Sequence, residues 1–167
     1  MKLLRTFFVL CLAGLISSCV PSKGLIYGTN YDYDINADFS KLKRYTWLPL
    51  PVTAKFDPLN EKRFKNDIDK NLQSRGLIET PDNPDFLIKG RFTLVKKMDT
   101  TSAGSDYGIF QEGILLLVFL NPDTQTTIWW GETRLRVKAD MTPIEKDNLV
   151  RDSVLSVLEN FPPPPPN

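Results

Sequence analysis

Histidine is absent from these 167 residues, and cysteine occurs only twice, at Cys11 and Cys19. Without His there is no Ser-His-Asp or Cys-His constellation and no His-ligated zinc site. Cys11 falls inside an apolar leader, so the processed chain keeps only Cys19. It then has no disulfide, no second thiol and no Cys metal site. Charge of either sign is also not in excess: 21 basic residues stand against 20 acidic ones, a formal net charge of +1. That balance offers no electrostatic footprint for nucleic acid. The glycines form no phosphate-cradling loop, and no apolar run reaches the roughly 20 residues of a membrane span.

What is present begins at the N-terminus. Lys2 and Arg5 precede the apolar run Phe7 to Ile16, which has the size of a signal-peptide core. Small Ser17 and Ser18 then lead into Cys19. The arrangement resembles the lipobox of bacterial lipoproteins. That resemblance implies cleavage between Ser18 and Cys19, a diacylglyceryl group on the Cys19 thiol and acylation of the new amine. Each buried methylene contributes about 0.8 kcal/mol, and two or more chains anchor a protein stably. Val20, not Asp, follows the Cys. In enterobacterial lipoproteins an Asp there retains the protein in the inner membrane, so the resemblance implies the outer membrane, with the domain facing the periplasm. Cleavage removes Lys2 and Arg5 and leaves 19 basic against 20 acidic residues.

The remaining chain suits one domain. The spacing predicts a lipidated tether over 19–30, a domain over 31–161 and a proline-rich tail over 162–167. Tyr31, Tyr33 and Ile35 alternate with Asp32, Asp34 and Asn36, and Leu42 to Leu48 carries Tyr45 and Trp47, so both read as strands. Asp57 and Pro58 open a helix with the apolar stripe Phe64, Ile68 and Leu72, capped by Gly76. Its pairs Glu61/Lys65, Arg63/Asp67 and Lys65/Asp69 read as a solvated face. Asp85 to Lys97 is a strand, followed by a polar loop over 99–106. Ile109 to Leu120 and Thr126 to Ala139 form a hairpin turning at Asn121-Pro122-Asp123-Thr124. Thr142 and Glu145 make a capping box for a last helix burying Val150, Val154, Val157, Leu158 and Phe161. The predicted fold is α+β: a single domain with a mostly antiparallel sheet and two helices packed on one face.

Three features are candidate sites. Asp32 and Asp34 share one face of a strand, an arrangement for calcium or acid–base work, or simply a polar outer face. In the hairpin, Ile114, Leu116 and Val118 supply a core face, which leaves Leu115, Leu117 and Phe119 on the other, extended by Ile128 and Trp130. This second face is either covered by the N-terminal segment or a loop, or is an exposed contact patch for a protein, a lipid surface or an acyl ligand. Pro162 to Pro166 form either a polyproline ligand or a stiff solvated end.

The run from Asp38 to Pro49, with Phe39, Ser40, Lys43, Tyr45 and Trp47, resembles the opening of the lipoproteins that contain domain of unknown function 4136. Asp67 to Leu77, Pro84 to Ile88, the Gly113-to-Trp130 hairpin and Phe161-Pro162-Pro163 follow in the same order. Together they span roughly Tyr31 to Pro163. The hairpin departs from the family pattern at Asn121-Pro122-Asp123. The family has no assigned activity, so the resemblance implies fold and address but no catalytic residue.

The expected protein is therefore a lipid-anchored module of the bacterial cell envelope. It acts by binding, scaffolding or assisting assembly, and is not an enzyme. Its partners are the membrane, through Cys19, and an envelope protein, with no nucleic acid, cofactor or metal. The alternative is a carboxylate-based hydrolase, or a carrier, acting on envelope glycan or lipid.

Overall fold

The computed structural model describes residues 26–49, 57–98 and 109–164. The predicted leader, the predicted cleavage site at Ser18 and Cys19, the predicted loop over 99–106 and residues 165–167 lie outside the described residues.

Six strands form one sheet: β1 (Ile26–Tyr33), β2 (Arg44–Trp47), β3 (Ile78–Glu79), β4 (Phe86–Met98), β5 (Ile109–Leu120) and β6 (Thr127–Val137). Two helices, α1 (Pro58–Ser74) and α2 (Pro143–Val157), complete the domain. The spatial order is β1-β6-β5-β4-β2-β3. β1, β6, β5 and β4 pair antiparallel, while β2 runs parallel to both β4 and β3. The sheet is thus mixed, and α1 provides the crossover between the parallel strands β2 and β3.

The local signals act as the sequence requires. Asp57 accepts a hydrogen bond from the Leu59 N–H, and Pro58 fills the first turn of α1, where no N–H is needed. Gly76 closes that helix at φ 82°, a conformation costly for any residue with a Cβ. In α2 both bonds of the Thr142–Glu145 capping box form. Of the three predicted ion pairs on α1, Lys65 meets Asp69 at 2.7 Å. Arg63 instead reaches Asp147 of α2 and ties the N-terminal parts of the two helices together.

Both helices lie on one face of the sheet. The core between them holds Phe64, Ile68 and Leu72 from α1, Val150, Val154 and Val157 from α2, and Phe86, Ile88, Leu115, Leu117, Phe119 and Trp129 from the sheet. Gly131 faces α2 because a Cβ there would lie 2.5 Å from the Trp129 ring and 3.0 Å from Val157.

The run from Asp38 to Pro49 is explained by this core. Asp38 caps a short 3-10 turn, Phe39–Lys41. Phe39 stacks edge-on against Tyr33 and Phe161. The Tyr45 hydroxyl and the Trp47 indole N–H both donate to Asp69 of α1, at 3.0 and 2.8 Å. Asp85 accepts from the backbone N–H groups of Lys43 and Arg44 and pairs with the Arg44 side chain. Aromatic and carboxylate residues that look like surface features in the sequence are clasps between β2, α1 and the start of β4.

Two boundaries differ from expectation. Residues 26–30, expected in the tether, belong to β1 and pair with β6 from Leu135 onward. Their Gly and Asn content hides a strand that exists only because β6 offers an edge. β1 also ends at Tyr33. Ile35 lies in the following turn and is 75% exposed.

Candidate functional site

The face of the sheet away from the helices is the surface left open among the described residues. Leu116, Val118 and Trp130 lie partly buried at its centre, with Val118 directly opposite Trp130. Leu87, opposite Leu120, extends the strip. Charges surround it. Asp32 of β1 pairs across from Trp130, and Lys89 and Arg91 of β4 stand opposite Val118 and Leu116. On β6, Glu132 accepts a hydrogen bond from Arg134 at 2.8 Å.

This corrects the predicted patch. Leu115, Leu117 and Phe119 are 2%, 0% and 0% exposed and belong to the core, and Ile128 is buried with them. Of the five residues only Trp130 remains on the open face. The cause is register. The turn from Asn121 to Thr126 pairs Leu117 with Gly131 and Leu116 with Glu132. Directly opposed residues share a face, so the charged set Glu132, Arg134 and Arg136 fixes Ile114, Leu116 and Val118 as outward. The signal was present in the alternation of β6 and needed only to be carried across the turn. Ile128 is buried for a second reason. The ladder shifts between Phe119 and Leu120, leaving it as the extra residue of a bulge next to Trp129.

Asp32 and Asp34 do not form a pair of converging acids. Asp32 is on the open face, whereas Asp34 follows the strand and accepts from the Asn36 N–H at 2.9 Å.

At the far end of the sheet, Asp34, Asp38, Asp85 and Asp123 border an open cleft of about 500 Å³ together with Lys41 and Asn121. Three of these carboxylates, those of Asp34, Asp38 and Asp85, serve the backbone. Hydrogen bonds from Ser40 and Lys41 hold the Asp38 carboxyl down at about 2. The Arg44 hydrogen bond, with the backbone N–H groups beside it, lowers that of Asp85. Both shifts run opposite to the raised pKa of a general acid. No set of three metal-ligating side chains converges among the described residues. A second, apolar pocket between α1, α2 and the sheet has about 60 Å³, far below the roughly 300–1,000 Å³ of small-molecule sites.

Sequence reasoning missed one polar centre. Glu112 on β5 is 1% exposed although it points to the open face. Tyr27 donates its hydroxyl proton to it, Lys97 lies 3.0 Å away and Arg134 3.6 Å. Burial alone would raise the Glu112 carboxyl. The Tyr27 and Lys97 hydrogen bonds and the two cationic charges outweigh it, and the carboxyl sits below its ordinary range. Burial and the Glu112 contact push Tyr27 up to about 12. Glu112→Gln is expected to destabilise the protein by about 2 kcal/mol at pH 7, less than for a fully buried pair because Lys97 and Arg134 are partly solvated. A depressed carboxylate stabilises above its unfolded pKa and loses that contribution as pH falls through its folded value. The difference between the two proteins in urea unfolding should therefore shrink below about pH 4.

The architecture defines a class: a single α+β domain whose six-stranded sheet is covered by two helices on one side and, among the described residues, open on the other. Within that class the chain belongs to the family of domain of unknown function DUF4136, whose profile matches residues 29–163. Solved structures share the fold at low identity. A PDZ domain protein from Parabacteroides distasonis is 13% identical with a TM-score of 0.62, covering 83% of this chain and 36% of its own length. The chain therefore spans about a third of that protein. The PelC dodecamer from Paraburkholderia phytofirmans is 10% identical with a TM-score of 0.50, covering 78% of this chain and 94% of its own. A weaker likeness, which does not by itself establish a shared fold, is to a minor lipoprotein from Acinetobacter baumannii, 9% identical with a TM-score of 0.47, covering 72% of this chain and 92% of its own. A search of curated proteins finds no match.

Proposed function

We propose that this protein is a lipid-anchored module of the bacterial cell envelope, tethered through Cys19 to the outer membrane, and that it holds an envelope protein against the open face of its sheet. One observation carries the reading. Both helices cover the same side, and the opposite side keeps Leu116, Val118 and Trp130 at the centre of a charged rim. A fully desolvated apolar centre within a polar rim is the anatomy of a protein interface, and aromatic anchors dominate such surfaces. Acids in the rim, Asp32 and Glu132, fit a protein partner better than an anionic lipid surface. No helix among the described residues is long and apolar enough to cross a membrane, so attachment falls to the lipobox. Three carboxylates of the far-end cleft, those of Asp34, Asp38 and Asp85, are committed to turns and clasps, which favours binding over hydrolysis.

Crosslinking in intact cells, followed by purification of the acylated protein from membranes, tests this. A recurrent partner should co-purify and be lost with Leu116→Asp or Trp130→Ala while the variants stay folded. An abundant, folded protein that brings no partner sensitive to these changes would sink the reading and direct attention to hydrolytic assays and bound lipids.

A further inference from the structure

We infer that one end of the domain, the end where the chain arrives from Cys19, rests on the bilayer that holds the anchor. The inference rests on the anchoring reading above but not on the protein partner.

Of the ten large apolar side chains exposed among the described residues, six occupy this one end: Tyr27, Leu59, Leu94, Val95, Met98 and Ile144. They come from four separate parts of the chain. Tyr27 opens β1. Leu94, Val95 and Met98 form the last part of β4, and Leu59 and Ile144 stand in the first turns of α1 and α2. The fold brings them together because the helices run parallel. Arg63 joins Asp147 near their beginnings, while Arg75 donates to the Leu158 and Phe161 carbonyls near their ends. The start of β1 is at the same end, since Ile26 packs against the cluster of Leu135, Met141 and Leu149.

Chain length fixes what this end faces. Seven peptide steps separate Cys19 from Ile26, and a fully extended chain spans at most about 3.6 Å per residue. The start of β1 is therefore held within about 25 Å of the acylated cysteine. The far-end cleft stands away from it by the length of β6, roughly 3.3 Å for each residue. Charge is compatible with lipid headgroups. Lys96 and Lys138 are exposed around the apolar side chains and Lys97 reaches the surface while pairing with Glu112. Of the acids there, Asp57 and Glu145 cap the helices, Asp147 holds Arg63 and Glu112 holds Tyr27, while Glu61 and Asp140 are exposed. Apolar and aromatic side chains set among lysines are the pattern of surfaces that sit at headgroup level. The Glu112–Tyr27 bond then has a purpose, because it fastens the strand that follows the tether to the body of the sheet.

The test exploits the missing cysteines. With Cys19 acylated, Met98→Cys provides a single thiol for a polarity-sensitive dye, and Asp123→Cys provides one at the far end. The full acylated chain is reconstituted into phosphatidylethanolamine–phosphatidylglycerol vesicles containing a brominated phospholipid. Quenching at Met98→Cys should exceed that at Asp123→Cys by roughly threefold or more. Adding Val95→Glu and Ile144→Glu, both at exposed positions, should abolish the difference while the protein still floats with the vesicles. Equal quenching at both sites in a floating protein would overturn the docking and leave the anchor intact. Failure to float would overturn both. A dye at Met98→Cys that is shielded to the same degree without vesicles would overturn the docking in favour of a second copy on this end.

Discussion

Leu117→Asp is expected to abolish folding, whereas Leu116→Asp leaves the domain folded. The two residues are neighbours of the same type on the same strand. Leu117 is 0% exposed and lies in the core between the sheet and both helices. An aspartate there buries a carboxylate with no cationic partner, a penalty of several kcal/mol. Set against the roughly 5–15 kcal/mol that holds a domain together, that is enough to lose cooperative unfolding. Leu116 is partly buried on the open face, between Arg91 on one neighbour and Glu132 on the other. A carboxylate there reaches water and the Arg91 side, and the cost is about 1 kcal/mol or less. Far-ultraviolet circular dichroism and urea unfolding of the pair measure this directly. Two equally folded variants, or a reversal of the order, would mean that the faces of β5 have been assigned the wrong way round.

Phe161→Ala should cost about 3–5 kcal/mol, the usual range for removing a large buried aromatic. Phe161 follows the end of α2 and is buried, 2% exposed, as its place in the apolar stripe of that helix leads one to expect. Its ring meets Phe119 edge-on with centroids 4.7 Å apart, lies 5.3 Å from Trp129 and 6.0 Å from Phe86, and closes on Phe39 at 6.2 Å. It therefore joins β4, β5, β6 and the turn after β1 at one point. Arg75, reaching across from the end of α1, donates to its carbonyl. With a urea slope of about 2 kcal/mol per molar, the midpoint should fall by about 2 M. A shift under about 0.5 M would show that the cavity closes by collapse of the neighbouring rings and that Phe161 is not the centre of the cluster.

The helices were legible because their signals are local. Asp57 with Pro58, Gly76, and Thr142 with Glu145 mark three helix ends, and stripes spaced at four residues name the buried faces. The hairpin was legible from its turn residues and alternation. The candidate surface was not, for a specific reason. A strand apolar on both sides, from Ile114 to Leu120, carries no internal evidence of which side is inward, and a shift of one residue exchanges the faces entirely. Only the register with β6 breaks the tie. Glu112 escaped notice because its partners Tyr27, Lys97 and Arg134 lie far apart in the chain and meet only when β1, β4 and β6 flank β5.

By itself the sequence determined the class of the fold, the places where helices start and stop, the absence of histidine, and the lipobox-like run that ends at Cys19. Each of these depends on residue type or on spacing over a few positions. Tertiary structure decided which face of β5 is buried, that residues 26–30 form an edge strand, that Asp32 and Asp34 stand apart, and that six exposed apolar side chains gather at one end. These depend on contacts between segments distant in sequence. Their free energy comes from the partner surface and not from the segment, so the pattern of one segment does not record them, and the inward face of β5 has to be read from β6 across the turn.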